Sequence, residues 1–241
     1  MSERAKSANR DFDKRGFLRN HPIFGGLRPD LLERLSSHAL RQAVRSGTTI
    51  FARGDPGTSL FTICSGTIKI SSPSPDGRSA IFNLISQGSV VGEIALLDGL
   101  PRTADATAIT DCELMVIDRR DFISLIKEQP EIALRIIEVL CGRLRQTTEQ
   151  LEDVMFLDLP GRLAKTLLQL ANKAKSASGR PKVTLTQSDI GKMIGMSRES
   201  TNRQLRAWQD RNWLLLERGG IVILKPDALG RIAAPAEGDS A

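Results

Sequence analysis

The pattern of apolar positions changes twice along the 241 residues of the chain. From Leu40 to about Ile117, apolar residues form short β-branched or alternating runs, separated by turn signals such as Gly54-Asp-Pro-Gly. Many short strands at near-regular spacing predict a β-sandwich or jelly roll. The predicted strands cover residues 48–51, 60–63, 67–70, 80–85, 104–109 and 113–117. A short helix with proline in its first turn is expected before them, near Pro29.

A helical period follows from about Arg119 to Phe156, with one break at Pro130. In its second part apolar residues recur at alternating spacings of four and three, which is the heptad pattern of a two-stranded coiled coil. We call this row the heptad seam; its members are Ile137, Cys141, Leu144, Thr148, Leu151 and Met155. The seam predicts a parallel homodimer, and the alternative is one amphipathic helix packed on its own domain. Thr148, with Thr147 beside it, places a hydroxyl on the seam, so we expect a polar partner there.

The last third of the chain has the sequence signals of a helix-turn-helix. Thr186 and Asp189 have the spacing of a helix-capping box, Gly195 permits a tight turn, and Ser197 caps a second helix. Its predicted inner face is formed by Ile190, Met193, Ile194, Thr201, Leu205 and Trp208.

Four long polar side chains are expected on the outer face at the start of the second helix, where a recognition helix meets base edges. They are Arg198, Glu199, Asn202 and Arg203. Two strands, 214–216 and 221–224, predict the hairpin of a winged variant, and the Lys/Ser/Gly-rich stretch 173–182 is expected to be a loop or wing. The alternative is an ordinary helical hairpin with a charged surface.

The positive charge is concentrated in this last third. Residues 1–159 carry 20 Lys/Arg against 21 Asp/Glu, a net of −1, whereas residues 160–241 carry 14 against 7, a net of +7. A basic surplus confined to about eighty residues is typical of a module that binds a polyanion, although a merely solvated basic face has the same composition.

Composition argues against several other classes. With 40% hydrophobic and 26% charged residues the chain is typical of a globular protein, and we expect a cytoplasmic one because no apolar run approaches the length of a membrane span or signal sequence. Three scattered cysteines and two histidines fit neither a disulfide framework nor a metal site. The sequence contains no recognisable Ser/His/Asp set and no Walker loop, so no motif in it suggests an enzyme.

One string between two predicted strands has the residues that a nucleotide site needs. Gly92 lets the backbone approach a ligand, Glu93 supplies an acceptor for a hydroxyl, and Arg102 supplies a bidentate donor for a phosphate. The amides of Ile94 and Ala95 and the hydroxyl of Thr103 add donors to the same anion cradle. The string begins at Val91.

This ordered string, Gly-Glu-x-Ala-Leu closing on Pro-Arg-Thr-Ala, resembles the phosphate-binding cassette of cyclic-nucleotide-binding domains. Together with the long helix and the winged helix-turn-helix, it resembles the Crp/Fnr family of transcription regulators over about residues 20–225. The resemblance implies an α+β fold: an N-terminal β-roll (jelly roll), a dimerisation helix and a C-terminal winged helix-turn-helix. The expected limits are 1–16 for a polar tail, 17–129 for the roll, 130–158 for the helix and 159–241 for the DNA-binding domain.

The resemblance also implies residue roles. Glu93 binds the ribose 2′-hydroxyl, Arg102 the cyclic phosphate, and Thr103 a phosphate oxygen or the purine. Thr147 and Thr148 fall where the family places two hydroxyl residues against the purine, one from each subunit. The effector that the resemblance implies is cyclic AMP, and Thr103 leaves cyclic GMP open because receptors that accept it often have threonine there.

For DNA, the resemblance implies that Arg198, Glu199 and Arg203 read bases in a palindromic site of the TGTGA type. The residues expected to touch phosphates are Thr186, Gln187 and Ser188. RNA polymerase is an implied partner. The alternative is a family member that binds DNA without a cyclic nucleotide, and the absence of an N-terminal cysteine cluster argues against an iron–sulfur oxygen sensor.

Overall fold

The computed structural model describes residues 12–74, 79–173 and 182–234. The fold contains both helices and sheets, and the chain divides into two compact units. The first unit comprises residues 1–72 and 83–142, and the second comprises residues 73–82 and 143–241.

The predicted tail and the predicted loop at 173–182 fall largely outside the described residues. Within the tail, helix α1 (Lys14–Arg19) begins before residue 16, so the last residues of that segment are helical rather than loose. The Asp13 side chain caps this helix by accepting a hydrogen bond from the amide of Gly16 at 2.8 Å.

The next helices and strands follow the predicted order closely. They are α2 (Pro29–His38), β1 (Leu40–Val44), β2 (Thr49–Phe51), β3 (Ser59–Ser65), β4 (Thr67–Pro73), β5 (Ser79–Ser86), β6 (Val90–Val91), α3 (Glu93–Asp98), β7 (Asp105–Ala108), β8 (Cys112–Asp118), α4 (Arg119–Glu128) and α5 (Glu131–Phe156). The strands form two four-stranded sheets in the orders β1-β8-β3-β6 and β2-β7-β4-β5. The β-rich first part of the predicted fold is confirmed.

Apolar side chains from both sheets form a shared core. Ile63 and Leu114 from one sheet and Ile68, Ala106 and Ala108 from the other are fully buried in the same cluster. Because alternate residues of a strand point to opposite faces, each sheet can turn one apolar face inward. This packing fixes the ends of β2, β3 and β6, where the candidate site lies.

The heptad seam lies along α5 and is exposed in the single chain. The exposed fractions of Ile137, Leu144, Leu151 and Met155 are between 51% and 67%. Ile132 and Ile136, in the first part of this helix, are buried in a separate apolar cluster with residues of α1, α2 and α4. Most of the apolar row is therefore not covered by the chain's own described residues.

The second unit contains the rest of α5 and the elements after it. They are α6 (Leu159–Lys173), β9 (Lys182–Val183), α7 (Gln187–Ile194), α8 (Arg198–Asp210), β10 (Leu214–Glu217), β11 (Gly220–Ile223) and α9 (Pro226–Ala233). The strands form an antiparallel sheet in the order β10-β11-β9, and the core includes Leu167, Leu205 and Trp208. The helix-turn-helix and its hairpin are confirmed, while α9 is an addition. Among the described residues, no helix is both long and apolar enough to cross a bilayer.

Candidate functional site

The Gly92 backbone joins strand β6 to helix α3 in a conformation that favours glycine. Its φ is +88°, and it occupies the cap position at the start of α3. A Cβ on this residue would lie only 2.3 Å from Nη1 of Arg102. The missing side chain thus leaves the space that the guanidinium occupies.

The Arg102 guanidinium is buried and held by two backbone carbonyls. Nη1 donates to the carbonyl of Gly92 and Nη2 to that of Ser59, both at 2.7 Å, and only 3% of the residue is exposed. Nε is also buried, but it donates to no acceptor among the described residues. A buried donor without an acceptor is costly, so this N–H is suited to an incoming anion.

Two aromatic rings lie beside the same guanidinium. Its Cζ is 4.4 Å from the ring centroid of Phe51 and 5.7 Å from that of Phe61. The backbone of Arg102 is fixed as well, because its N–H donates to the Asp55 carbonyl at 2.8 Å and its carbonyl accepts from the Gly54 N–H at 2.9 Å.

Burial and nearby negative charges shift the pKa of Arg102 in opposite directions. Burial lowers the pKa of Arg102 below its usual value, while the negative charges of Glu93 and Asp55 oppose that shift. Even a lowered arginine pKa leaves the side chain cationic at neutral pH. The arrangement therefore keeps a positive charge in a poorly hydrated position, where an anion interacts with it strongly.

The other cassette residues divide into a buried and an exposed set. Val91, Glu93 and Ala95 are at most 2% exposed, whereas the side chains of Ile94 and Thr103 reach solvent. The cassette thus brings Gly92, Glu93 and Arg102 together and leaves the Thr103 hydroxyl at the surface.

Thr147 and Thr148 lie on α5 beyond Gly142, in the second compact unit. Each hydroxyl donates to the carbonyl four residues before it, in Arg143 and Leu144 respectively, at 3.0 Å. Threonine in a helix commonly bonds in this way, and the oxygen lone pairs remain available as acceptors. Both side chains are exposed.

Side-chain caps define the helix-turn-helix. Oγ1 of Thr186 accepts from the Asp189 amide at 3.0 Å and donates to the Asp189 carboxylate at 2.7 Å. Gly195 ends α7 with a φ of +75°, and Oγ of Ser197 accepts from the Ser200 amide at 3.1 Å. These contacts confirm the two caps and the turn expected from the sequence.

The two faces of α8 differ as the sequence predicts. Thr201, Leu205 and Trp208 are buried, and the Thr201 hydroxyl donates to the Ser197 carbonyl at 2.9 Å. The outward residues of the candidate DNA interface are Arg198, Glu199 and Arg203, which are exposed, and Asn202, which is half-buried.

The start of the helix-turn-helix also presents polar groups at two helix N-termini. Thr186 is exposed, and Gln187 and Ser188 in the first turn of α7 are half-buried.

Hydrogen bonds from its own backbone amide and from the Ser197 side chain lower the pKa of Glu199. This carboxylate is therefore an acceptor at neutral pH, as contact with a cytosine amino group requires.

Sequence reasoning missed the residues that hold Arg102 from a distance. The sequence pattern predicts Phe51 only as a strand residue and gives no signal for Ser59. The contacts of both residues with Arg102 depend on strand pairing, which no local sequence motif indicates. Arg218 is exposed at the tip of the β10–β11 hairpin, beside Gly219.

Comparison with known proteins agrees with both halves of the chain. Residues 41–129 match the model of the cyclic nucleotide-binding domain, and residues 161–232 match that of the Crp-like helix-turn-helix domain. A CRP-like cAMP-activated global transcriptional regulator of Mycobacterium tuberculosis is 37% identical over 88% of this chain and 96% of its own length. The chain belongs to the Crp/Fnr family of transcription regulators.

Other relatives place this Crp/Fnr regulator in the same group. The cAMP-activated global transcriptional regulator CRP of Salmonella typhimurium is 32% identical over 80% of this chain and 93% of its own. The solved structure of the c-di-GMP responsive global regulator CLP of Xanthomonas campestris is 26% identical, with a TM-score of 0.73 over 81% of this chain and 99% of its own. The family consists of DNA-binding regulators rather than enzymes, and its fold is the one described above.

Proposed function

We propose that this Crp/Fnr regulator is a cytoplasmic homodimer whose affinity for a palindromic, TGTGA-like DNA site is controlled by cyclic AMP. The observation that carries the proposal is the buried cation of Arg102, whose Nε–H has no acceptor among the described residues. A cyclic phosphate supplies both the negative charge and the acceptor oxygens that this group needs.

The neighbouring groups support a nucleotide rather than a simple anion. Glu93 is 1% exposed at the start of α3, where its carboxylate can accept from a ribose hydroxyl. The amides of Ile94 and Ala95 belong to the first turn, whose N–H groups have no partner within the helix. Thr103 is exposed beside Arg102 and offers a hydroxyl to the phosphate or the purine. Because this hydroxyl can also serve guanine, cyclic GMP is the second ligand to test.

The exposed heptad seam supports the dimer. An apolar row of this length is unfavourable in water and suits a second copy of the same helix, which would cover Leu144 and Leu151 by knobs-into-holes packing. In such a pair Thr147 and Thr148 of both protomers lie along the shared axis. Their acceptor lone pairs are suited to a purine amino group, as the family resemblance implies.

The face of α8 supports sequence-specific DNA binding. Arg198 and Arg203 are exposed donors suited to guanine, and Glu199 is an acceptor suited to cytosine. Half-buried Asn202 completes the proposed base-reading set, and Thr186, Gln187 and Ser188 are proposed to bind phosphates. In the dimer the two recognition helices must lie about 34 Å apart to reach successive major grooves. RNA polymerase is the proposed protein partner on the promoter.

The proposed mechanism is a shift between two states of the dimer. Nucleotide in the cassette contacts Thr147 and Thr148 and thereby favours the state in which the two recognition helices fit one DNA turn. Ligand and DNA then stabilise the same state, and each raises the affinity for the other by the same factor.

A second candidate has its own supporting observation. Both Nη groups of Arg102 already donate to the carbonyls of Gly92 and Ser59. This internal pairing suits a regulator in which the cassette arginine only stabilises the roll and DNA binds without a cyclic nucleotide.

Calorimetric titration separates the two candidates. The wild-type protein should bind cyclic AMP, and Arg102→Leu should abolish binding while leaving the dimer intact. Arg41→Leu is the matched control, because Arg41 pairs with Glu113 in the first unit but lies outside the cassette. Undiminished binding by Arg102→Leu contradicts the site, and absence of binding by the wild type to both cyclic AMP and cyclic GMP favours the second candidate.

A further inference from the structure

The ring of Phe51 lies over the same guanidinium that the two carbonyls hold at its edge. The distance from Cζ of Arg102 to the ring centroid is 4.4 Å, well within the range of a cation–π contact. The carbonyls of Gly92 and Ser59 occupy the Nη groups, so the plane of the guanidinium is fixed by an edge contact and a face contact together.

Phe51 differs from the second neighbouring ring in distance and in burial. Phe61 is 5.7 Å from the same Cζ and is 6% exposed within the core of the roll, where it contributes to packing. Phe51 is half-buried at the edge of that core, and the two ring centroids are 5.8 Å apart. Phe61 thus supports Phe51 from the core side, while Phe51 makes the close contact with the cation.

A guanidinium in this position has a fixed orientation and little contact with water. Arginine stacks on aromatic faces through its planar, weakly hydrated cation, which lysine cannot imitate. With the two Nη groups engaged, Nε–H is the donor whose direction the ring and the carbonyls determine. Fixing a donor before the ligand arrives reduces the entropy cost of binding.

We infer that Phe51 is a positioning residue for anion recognition: it holds the Arg102 guanidinium in the orientation that presents Nε–H to the cyclic phosphate. This inference rests on the proposed cyclic-nucleotide site. Phe51 acts through Arg102, and its proposed role does not involve the base or the ribose. Its contribution therefore needs both an aromatic face at position 51 and the guanidinium of Arg102, and it disappears when either of these is removed.

The test measures cyclic AMP affinity for Phe51→Leu, Phe51→Trp and the wild type. Loss of a cation–π contact should weaken binding by roughly 2- to 30-fold in Phe51→Leu. Phe51→Trp should restore most of the affinity, because the indole face attracts a cation at least as well. Phe12→Leu is the matched control: its ring lies 5.2 Å from Cζ of Arg41, an equivalent pair away from the cassette, and its removal should leave affinity unchanged.

A double-mutant cycle separates positioning from packing. In an Arg102→Lys background, which keeps a positive charge but not the planar, stacked guanidinium, Phe51→Leu should weaken binding markedly less than it does beside Arg102. Equal losses in both backgrounds, no rescue by tryptophan, or unchanged affinity in Phe51→Leu would each overturn the inference. A wild-type protein that binds neither cyclic AMP nor cyclic GMP would instead overturn the proposed function on which the inference rests.

Discussion

The Arg102 guanidinium lies directly against the backbone of Gly92: the glycine carbonyl accepts a hydrogen bond from Nη1 at 2.7 Å. A Cβ on the glycine would lie 2.3 Å from the same nitrogen. The left-handed backbone of Gly92, with φ at +88°, turns its carbonyl toward the guanidinium. Backbone conformation and charge placement are therefore coupled at this residue.

The first prediction is that Gly92→Ala weakens cyclic AMP binding by roughly tenfold or more, because the added methyl group displaces a charge-assisted hydrogen bond. Gly88→Ala is the control, since Gly88 also has a positive φ, +79°, but no atom lies within 4 Å of the position of an added Cβ. Calorimetry should show lower affinity for Gly92→Ala only. Equal losses in the two variants would assign the effect to backbone strain.

The second prediction concerns the turn of the helix-turn-helix. A Cβ on Gly191 would meet the Met196 carbonyl and Oγ1 of Thr201, both at 2.8 Å. Gly191→Ala should therefore destabilise the DNA-binding unit by about 1–3 kcal/mol, as overpacking does. Gly230→Ala, at a helical glycine with no atom within 4 Å, should stabilise the protein by about 0.5–1 kcal/mol. Urea unfolding measures both, and a stable Gly191→Ala variant would contradict the described packing.

The third prediction is a loss of stability in acid that depends on His21. This ring is 3% exposed between Phe17 and Phe24, its Nδ1 accepts from the Ile23 amide at 3.2 Å, and burial lowers its pKa from 6.5 to about 4. The unfolded chain binds a proton at this residue below pH 6.5 and the folded chain does not, so folding weakens as the pH falls from about 6.5 toward 4.

The slope of that loss reaches at most about 1.4 kcal/mol per pH unit. Urea unfolding between pH 7.5 and 4.5 should show it in the wild type and in His38→Leu, which removes the chain's other histidine from its contact with Asp121. In His21→Leu this component should be absent. An identical acid slope in His21→Leu would mean that other groups cause the loss.

The fourth prediction concerns the heptad seam. Leu144 is 67% exposed in the protomer, so Leu144→Asp should place a carboxylate in the proposed dimer interface and convert the dimer to monomers. Glu149→Arg, one residue after Thr148 and off the seam, should leave the dimer intact. Sedimentation measures the mass of each variant. A dimeric Leu144→Asp protein would contradict the proposed interface.

The fifth prediction concerns base recognition by α8. Arg198→Ala should weaken binding to the preferred DNA site by about 1–3 kcal/mol and relax the choice of base at one position of each half-site. Arg231→Ala, in the last turn of α9, is the control and should keep the wild-type base preference. Mobility-shift assays with single-base variants of the site measure both. Unchanged discrimination in Arg198→Ala would exclude this residue from base reading.

Features that depend on nearby residues could be predicted from the sequence. The helix-turn-helix follows from two caps and a glycine, in which Thr186 and Asp189 or Ser197 and Ser200 are only three positions apart. The partners of Arg102 could not be predicted in this way, because its hydrogen bond to Ser59 spans 43 positions and forms only after the strands pair.

Short elements were also beyond sequence reasoning. Helix α1 lies in a polar stretch and is held by the Asp13 cap and by Leu18, which is fully buried. Strand β6 has two residues, and α3 has six, so neither is long enough to show a hydrophobic period. The order of residues in the cassette is visible in the sequence, whereas the positions of its side chains depend on strand pairing.

The central claim is that cyclic AMP controls DNA binding, and fluorescence anisotropy on a labelled duplex with two TGTGA half-sites tests it directly. Saturating cyclic AMP should raise the affinity of the wild-type protein for this duplex by about 5- to 150-fold. The affinity of Arg102→Leu for the same duplex should not change. The same affinity for the duplex with and without cyclic AMP in the wild type would contradict the account.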